Sequence, residues 1–139
     1  MKTKEKNNLI FIRLFPGEEI YKNLKEACKK HSLQTGVILS GIGQVKNIEL
    51  GYFKEKGNYT PQSFEESFEL LSLNGNIIKD DDYNFHLHAV LGNEDKKSIG
   101  GHLIKAQISV TGEIVILKTN LQLKRKKEEE TGLDGLYLN

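Results

Sequence analysis

Residues 85–106 have the sequence FHLHAVLGNEDKKSIGGHLIKA and contain three of the four histidines of this 139-residue chain. His86 and His88 are two residues apart, so on a β-strand both side chains point to the same face. The polar run GNEDKK predicts a turn, and SIGGHLIKA predicts the returning strand of a hairpin. If the hairpin is centred near Asp95, His102 lies opposite His88 and the three imidazoles converge.

Converging neutral imidazoles suit a divalent metal ion, with zinc as the favoured ion, and a site with three protein ligands keeps one position for water or a small molecule. The alternative is structural, because a single histidine on a strand is usually a half-buried hydrogen-bonding residue. A register shift of one residue would send His102 to the opposite face of the sheet. The metal prediction therefore depends on the assumed pairing.

Length and composition predict one ordinary globular domain. Hydrophobic residues make up 37% of the chain and charged residues 28%, and 139 residues are enough to bury a substantial core. We expect a disordered polar tail at residues 1–8 and a single domain at residues 9–139. Cys28 is the only cysteine, which excludes an intramolecular disulfide.

Charge and hydropathy argue against two other classes of protein. The formal net charge is +1, and Arg13 and Arg125 are the only arginines, which is few for a protein that recognises phosphates or bases. The apolar run LIFI near the N-terminus is too short for a signal peptide or a membrane span. We therefore expect a cytoplasmic protein without a membrane segment.

The first half of the chain predicts two or three strands and one helix. The apolar and aromatic residues 9–15 predict a first strand. The helical spacing of apolar residues from Glu18 to about His31 predicts an amphipathic helix. Residues 37–53, VILSGIGQVKNIELGYF, predict two strands separated by a bend or bulge at the glycines. Residues 55–64, EKGNYTPQSF, predict a loop.

The second half predicts further strands. Residues 68–79, FELLSLNGNIIK, predict a hairpin around Asn-Gly, and residues 107–123 predict two strands or one long strand bent at Gly112. Residues 124–139 form a charge run without periodicity. One helix among about seven or eight strands predicts an α+β fold, with the helix packed on a mainly antiparallel sheet or partly closed barrel.

Gly41 and Gly43 are candidate ligand-contact positions, because a glycine lets a ligand approach the backbone closely. The competing interpretation is a bulge that turns a corner of the sheet. The segment SGIG is not a phosphate-binding loop, since it lacks the Lys-Ser/Thr ending and the following helix.

Five segments in order, RLFPGEEI, VILSGIGQVKNIELGYF, FELLSLNGNI, FHLHAVLG and GGHLIKAQISVTGEIVIL, resemble the PPC (plants and prokaryotes conserved) domain. The resemblance covers about residues 13–136. It implies an α+β domain that assembles as a homotrimer with pockets near the subunit boundaries. Plant members carry the domain behind AT-hook segments that bind DNA, which makes DNA binding the alternative function. This sequence contains no Arg-Gly-Arg-Pro core, the feature of an AT-hook, which argues against that alternative.

Stand-alone prokaryotic members, and the acetolactate decarboxylases of similar fold, imply a metal held by three histidines, which match His86, His88 and His102. A metal-dependent lyase is therefore a further alternative. The resemblance also places an acidic residue at Glu113, as a further metal ligand, a partner of a ligand or a general base, and an arginine at Arg125 as an anion contact. The competing interpretation of Glu113 is an edge-facing glutamate that pairs with a lysine.

Overall fold

The computed structural model describes residues 1–138, and within them it contains one helix and nine strands. The helix α1 spans Ile20–Lys30. The strands are β1 (Lys2–Lys6), β2 (Leu9–Leu14), β3 (Thr35–Glu55), β4 (Asn58–Phe64), β5 (Phe68–Lys79), β6 (Tyr83–Gly92), β7 (Ser98–Thr119), β8 (Lys124–Lys127) and β9 (Asp134–Tyr137).

Seven strands form one antiparallel sheet in the order β1-β2-β7-β6-β5-β3-β4, and β7 also pairs with β3. This second pairing closes a ring through β7, β6, β5 and β3. Closure needs long, bent strands: β3 has 21 residues and β7 has 22, and bulges interrupt their shared register. The predicted α+β fold with a mainly antiparallel, partly closed sheet is confirmed.

The helix lies against this sheet and shares one hydrophobic core with it. It begins after Glu19, whose carboxylate accepts hydrogen bonds from the backbone N–H groups of Tyr21 and Lys22, and it ends at His31. Its apolar face, which includes Leu24 and Ala27, is fully buried. The Tyr21 hydroxyl donates a hydrogen bond to the carbonyl of Leu103, which ties the helix to β7. No helix within residues 1–138 is long and apolar enough to cross a bilayer.

The predicted disordered tail at residues 1–8 is wrong, because residues 2–6 form β1 and pair with β2 from Lys2 opposite Arg13 to Lys6 opposite Leu9. The strand is polar because it is the edge of the sheet, with lysines on its exposed side. Lysines on an edge strand discourage pairing with other chains and leave the hydrogen bonds between β1 and β2 intact. A polar composition therefore concealed an ordered strand.

Three other segments also differ from the sequence-based expectation. The predicted loop at 55–64 contains β4, which tolerates Pro61 because it is the last strand of the sheet. The predicted hairpin at 68–79 is one continuous strand, β5. The charge run at 124–139 contains the β8–β9 hairpin, and Asn139 lies outside the described residues.

Gly75 explains why the Asn-Gly pair in β5 does not form a turn. Its φ is +148°, and a Cβ at this position would lie 2.0 Å from the carbonyl oxygen of His86. The glycine therefore allows β6 to approach β5 closely at the level of the histidines. The signal that predicted a turn marks a close contact between strands.

Candidate metal centre

The hairpin of β6 and β7 brings the three histidines together in the predicted register. His88 lies directly opposite His102, and the turn closes through a hydrogen bond from the backbone N–H of Asn93 to the carbonyl of Lys97 (3.0 Å). The intervening Leu87 is fully buried in the core, so His86 and His88 point away from it. The predicted convergence of the three side chains on one face is confirmed.

The distances between the imidazole nitrogens match the needs of one metal ion. The Nε2 atoms of His86 and His88 are 3.1 Å apart, and one nitrogen from each of the three rings lies within 4.8 Å of the others. Two nitrogens bound to tetrahedral zinc are about 3.4 Å apart, since each Zn–N bond is about 2.0–2.1 Å. The cluster could therefore hold a divalent cation after only small side-chain movements.

The surroundings favour the neutral form of the imidazoles that a metal requires. Burial lowers the pKa of His86 below its usual value, and the Arg125 guanidinium and His88 lower it further. Burial also lowers the pKa of His102, with further lowering by His86, His88 and Arg125. Both rings are therefore available as lone-pair donors at neutral pH.

The histidines lie in a pocket of about 850 Å³ with mostly apolar walls. Tyr59 of β4 forms one wall, with its ring edge-to-face with that of His102 at a centroid distance of 6.2 Å. Gly51 of β3 lies opposite His102 and makes room for this tyrosine, because a Cβ there would lie 2.0 Å from the Tyr59 hydroxyl. Phe85 and Leu133 contribute further apolar surface.

Arg125 of β8 lies at the same pocket, beside His86. Asn76 is the cross-strand neighbour of His86, and its side-chain oxygen accepts a hydrogen bond from Arg125 Nη2. Arg125 Nη1 donates to the carbonyl of Asp134 at 3.0 Å, so the guanidinium is held from both sides. The resemblance implied an anion contact at Arg125, and the structure places this residue at the histidine pocket.

The other three candidate residues lie outside the histidine pocket. Glu113 lines a separate pocket of about 500 Å³ and pairs with Arg13 at 3.5 Å. Gly41 packs against Leu73, and Gly43 has a φ of +147° and packs against the backbone of Thr111. The glycines thus act in strand packing, and Glu113 is not among the residues that line the histidine pocket.

The sequence analysis missed Tyr59, which lines the pocket, and Asn76, which accepts a hydrogen bond from Arg125. Tyr59 lay in a segment predicted as a loop, and Asn76 lay in a predicted hairpin. The alternation of residues 58–64 along a strand was hidden by a proline and by polar side chains on both faces. Asn76 could have been found only by pairing β5 with β6 over their full length.

The sequence model of the Plants and Prokaryotes Conserved (PCC) domain matches residues 1–120 of the chain. Its match covers most of the sheet and all three histidines. The chain therefore belongs to the plants and prokaryotes conserved domain family, as the resemblance predicted. The match ends before β8, so Arg125 lies outside it.

Solved structures with the same fold support this assignment. A plant- and prokaryote-conserved (PPC) protein from Pyrococcus horikoshii is 30% identical with a TM-score of 0.80, over 99% of this chain and 96% of that one. A metal-containing protein from Archaeoglobus fulgidus is 27% identical with a TM-score of 0.84, over 96% of each chain. A Bacteroides thetaiotaomicron protein for which DNA binding has been suggested is 28% identical with a TM-score of 0.91, over 98% of this chain and 96% of that one.

Curated relatives include the bifunctional protein GlmU of a Synechococcus strain, which is 28% identical over 129 residues. The match covers 91% of this chain and 20% of the relative. The chain thus spans about a fifth of the length of the curated relatives it matches. The domain is combined with other segments in those proteins.

Proposed function

We propose that the protein holds a divalent metal ion, with zinc as the favoured ion, through His86, His88 and His102. The open coordination position faces the adjoining pocket and receives a small molecule. The observation that carries this proposal is the convergence of one nitrogen from each ring within 4.8 Å. The similarity to a metal-containing protein of Archaeoglobus fulgidus adds support.

The chemistry of the donor set favours zinc among the divalent ions. Imidazole nitrogen is a common zinc ligand, and three protein ligands leave a fourth position for water or another molecule. No carboxylate of a described residue belongs to the cluster, which consists of three histidines alone. A cation that prefers oxygen ligands, such as magnesium or calcium, would find no suitable side-chain ligands in this cluster.

Metal analysis of the purified protein tests the proposal. Protein produced without added metal and purified without a metal-affinity tag should contain close to one zinc ion per chain by elemental mass spectrometry. Dialysis against a chelator should remove the ion, and one equivalent of zinc should restore it. Protein that stays metal-free and binds no zinc in a titration would overturn the proposal.

We also propose that the protein assembles as a homotrimer. Four exposed side chains and one half-buried one form an outer apolar patch on β2, β3 and β7, composed of Phe11, Val37, Leu39, Val115 and Leu117. Cross-strand pairing places Phe11 beside Val115 and Val37 beside Leu117. A contiguous apolar surface of this kind is typical of a protein–protein interface, and a second and third copy are the occupants that the family resemblance implies.

Light scattering of the purified protein tests the assembly. The mass should be three times the 15.8 kDa of the chain. Leu39→Glu places a charge in the outer apolar patch and should shift the mass toward the monomer, whereas Leu138→Glu, outside the seven-stranded sheet, should leave it unchanged. A monomeric wild-type protein would overturn the trimer.

Direct DNA binding is the competing candidate, because one similar protein has been suggested to bind DNA. The near-zero net charge of this chain gives little long-range attraction to a polyanion. A duplex-binding assay at about 50 mM salt decides between the candidates, since phosphate contacts give an affinity that falls steeply as salt rises. Saturable, salt-sensitive binding by the metal-depleted protein would favour the DNA candidate.

A further inference from the structure

The histidine pocket contains a second polar element that the metal proposal does not use. Arg125 is a cation that faces the pocket, and its Nε atom is buried without a hydrogen-bond partner within residues 1–138. A guanidinium has five N–H donors, and the protein acceptors Asn76 and the Asp134 carbonyl engage only two of them. The guanidinium therefore has capacity for an anionic ligand.

The surrounding contacts hold this guanidinium in a fixed position. Asn76 accepts from Nη2 and the Asp134 carbonyl accepts from Nη1. Because Asn76 is the cross-strand neighbour of His86, the cation is fixed to β5, the strand next to the one that carries His86 and His88. Preorganised charged donors of this kind bind anions with little loss of side-chain entropy.

The β8–β9 hairpin supplies this cation together with an apolar wall. Leu133 and Asp134 of the hairpin line the pocket together with Tyr52 and Tyr59. The hairpin lies beyond residue 120, where the match to the family model ends. The hairpin thus places a positive group and hydrophobic surface beside a histidine cluster that lies within the family match.

We propose that the pocket binds an organic carboxylate with a compact apolar body, the acid group contacting Arg125 and the body packing between Tyr59 and Leu133. This inference rests on the proposed metal centre and names the class of small molecule that reaches it. The volume of about 850 Å³ suits a small molecule. Arg125 is the only cationic side chain among the described lining residues other than the histidines, which favours a carboxylate over a phosphate ester.

The charges in the pocket agree with a monoanion. Burial lowers the pKa of Arg125, and the Asp134 carboxylate, which also lines the pocket, opposes this lowering. A bound divalent ion would add positive charge near the histidines. One carboxylate group therefore finds a favourable potential, while the apolar walls exclude a strongly hydrated ligand.

Calorimetric titration of the zinc-loaded protein with phenylacetate and with its neutral analogue phenylacetamide tests the proposal. Phenylacetate should bind about 10-fold to 100-fold more tightly, because charge-assisted hydrogen bonds to the guanidinium are lost in the amide. Arg125→Gln should remove most of this preference. Lys124→Gln, which removes the same charge from an exposed position on the same strand, should preserve it.

Zinc content, measured on every sample, separates this proposal from the metal proposal. A wild-type protein that fails to hold zinc contradicts the metal centre, and its titration with phenylacetate then tests Arg125 alone. A zinc-loaded protein that binds the acid and the amide equally overturns the carboxylate site. If folded Arg125→Gln keeps the full preference for phenylacetate over phenylacetamide, the carboxylate site is also overturned. Arg125→Lys keeps the positive charge and serves as a check of folding.

Discussion

His31 and the three-histidine cluster show two different uses of the same side chain. His31, at the end of α1, has both ring nitrogens occupied, Nδ1 by the Glu5 carboxylate and Nε2 by the Thr3 hydroxyl, each at 2.9 Å. In the cluster, the Nε2 atoms of His86 and His88 face each other at 3.1 Å. The comparison shows that imidazole nitrogens that face one another mark a candidate ligand set, while nitrogens that contact other side chains mark a structural histidine.

The two regions also differ in their charges. His31 lies in a network with Glu5 and Lys118, in which the Glu5 carboxylate contacts both the His31 ring and the Lys118 ammonium group. In the histidine cluster, burial lowers the pKa of His86 and of His102, and the Arg125 guanidinium contributes to both shifts. The first environment therefore fixes a hydrogen-bonded ring, and the second favours a neutral ligand.

The largest expected effect separates these two kinds of histidine by their influence on metal binding. His88→Ala removes one of the three ligands. Loss of a group that only hydrogen-bonds to a metal ligand typically weakens metal binding by about 10–100-fold, and loss of a ligand should weaken zinc binding by more than this. His31→Ala should leave zinc affinity unchanged, because its nitrogens contact Glu5 and Thr3. Competition with a chromophoric chelator measures both affinities.

Circular dichroism of both variants provides the control for that experiment. His88 is exposed, so its loss should leave the fold intact. If folded His88→Ala binds zinc as tightly as the wild-type protein, or if His31→Ala loses zinc while folded, the distinction between the two environments is wrong.

The candidate ligands could be predicted from sequence because the necessary information is local. Alternation places His86 and His88 on one face, and the short polar turn determines which residue lies opposite His88. The apolar spacing of α1 is local in the same way. Both features depend on neighbouring residues or on a single hairpin, so no knowledge of the remaining fold was needed.

The parts that could not be predicted depend on contacts between distant residues. β1 is an ordered strand because β2 is itself held by β7, and a polar edge sequence contains no sign of this support. Asn-Gly in β5 satisfies the rules for a tight turn, but pairing with β3 and β6 on both sides keeps the strand extended. Arg125 reaches the pocket because residues 124–137 fold back as a hairpin.

An intermediate effect is expected where the backbone positions the cluster. Gly75→Ala should lower the free energy of unfolding by about 1–3 kcal/mol, because it combines a strained φ with a clash against the carbonyl of His86. Gly17→Ala is the matched control, since Gly17 has a φ of +86° with no atom within 4 Å of the added Cβ. Urea denaturation of both variants isolates the contribution of the close strand approach.

This comparison also links the backbone to the metal centre. If Gly75 positions His86, Gly75→Ala should weaken zinc binding as well as stability, whereas Gly17→Ala should affect stability alone. Equal losses of stability in both variants, with unchanged zinc affinity in Gly75→Ala, would show that the close approach of β5 and β6 is unimportant for the cluster.

The smallest expected effect lies in the His31 region and depends on pH. The pKa of the Glu5 carboxyl is lowered by its hydrogen bond to Lys118, with a further contribution from His31, and partial burial opposes this lowering. A lowered carboxyl pKa stabilises the folded state above the unfolded pKa, and this stabilisation is lost as the pH falls through the folded value. Glu5→Gln should therefore cost up to about 1 kcal/mol near pH 7.

The difference between wild type and Glu5→Gln should shrink as the pH is lowered from about 6 toward 3, since protonated Glu5 loses its ionic contacts. Glu65→Gln, an exposed carboxylate outside this network, is the matched control and should show little difference at any pH. Denaturation curves at several pH values measure the effect. A constant penalty for Glu5→Gln across this range would mean that packing of β1, rather than the charge of Glu5, stabilises the contact between β1 and His31.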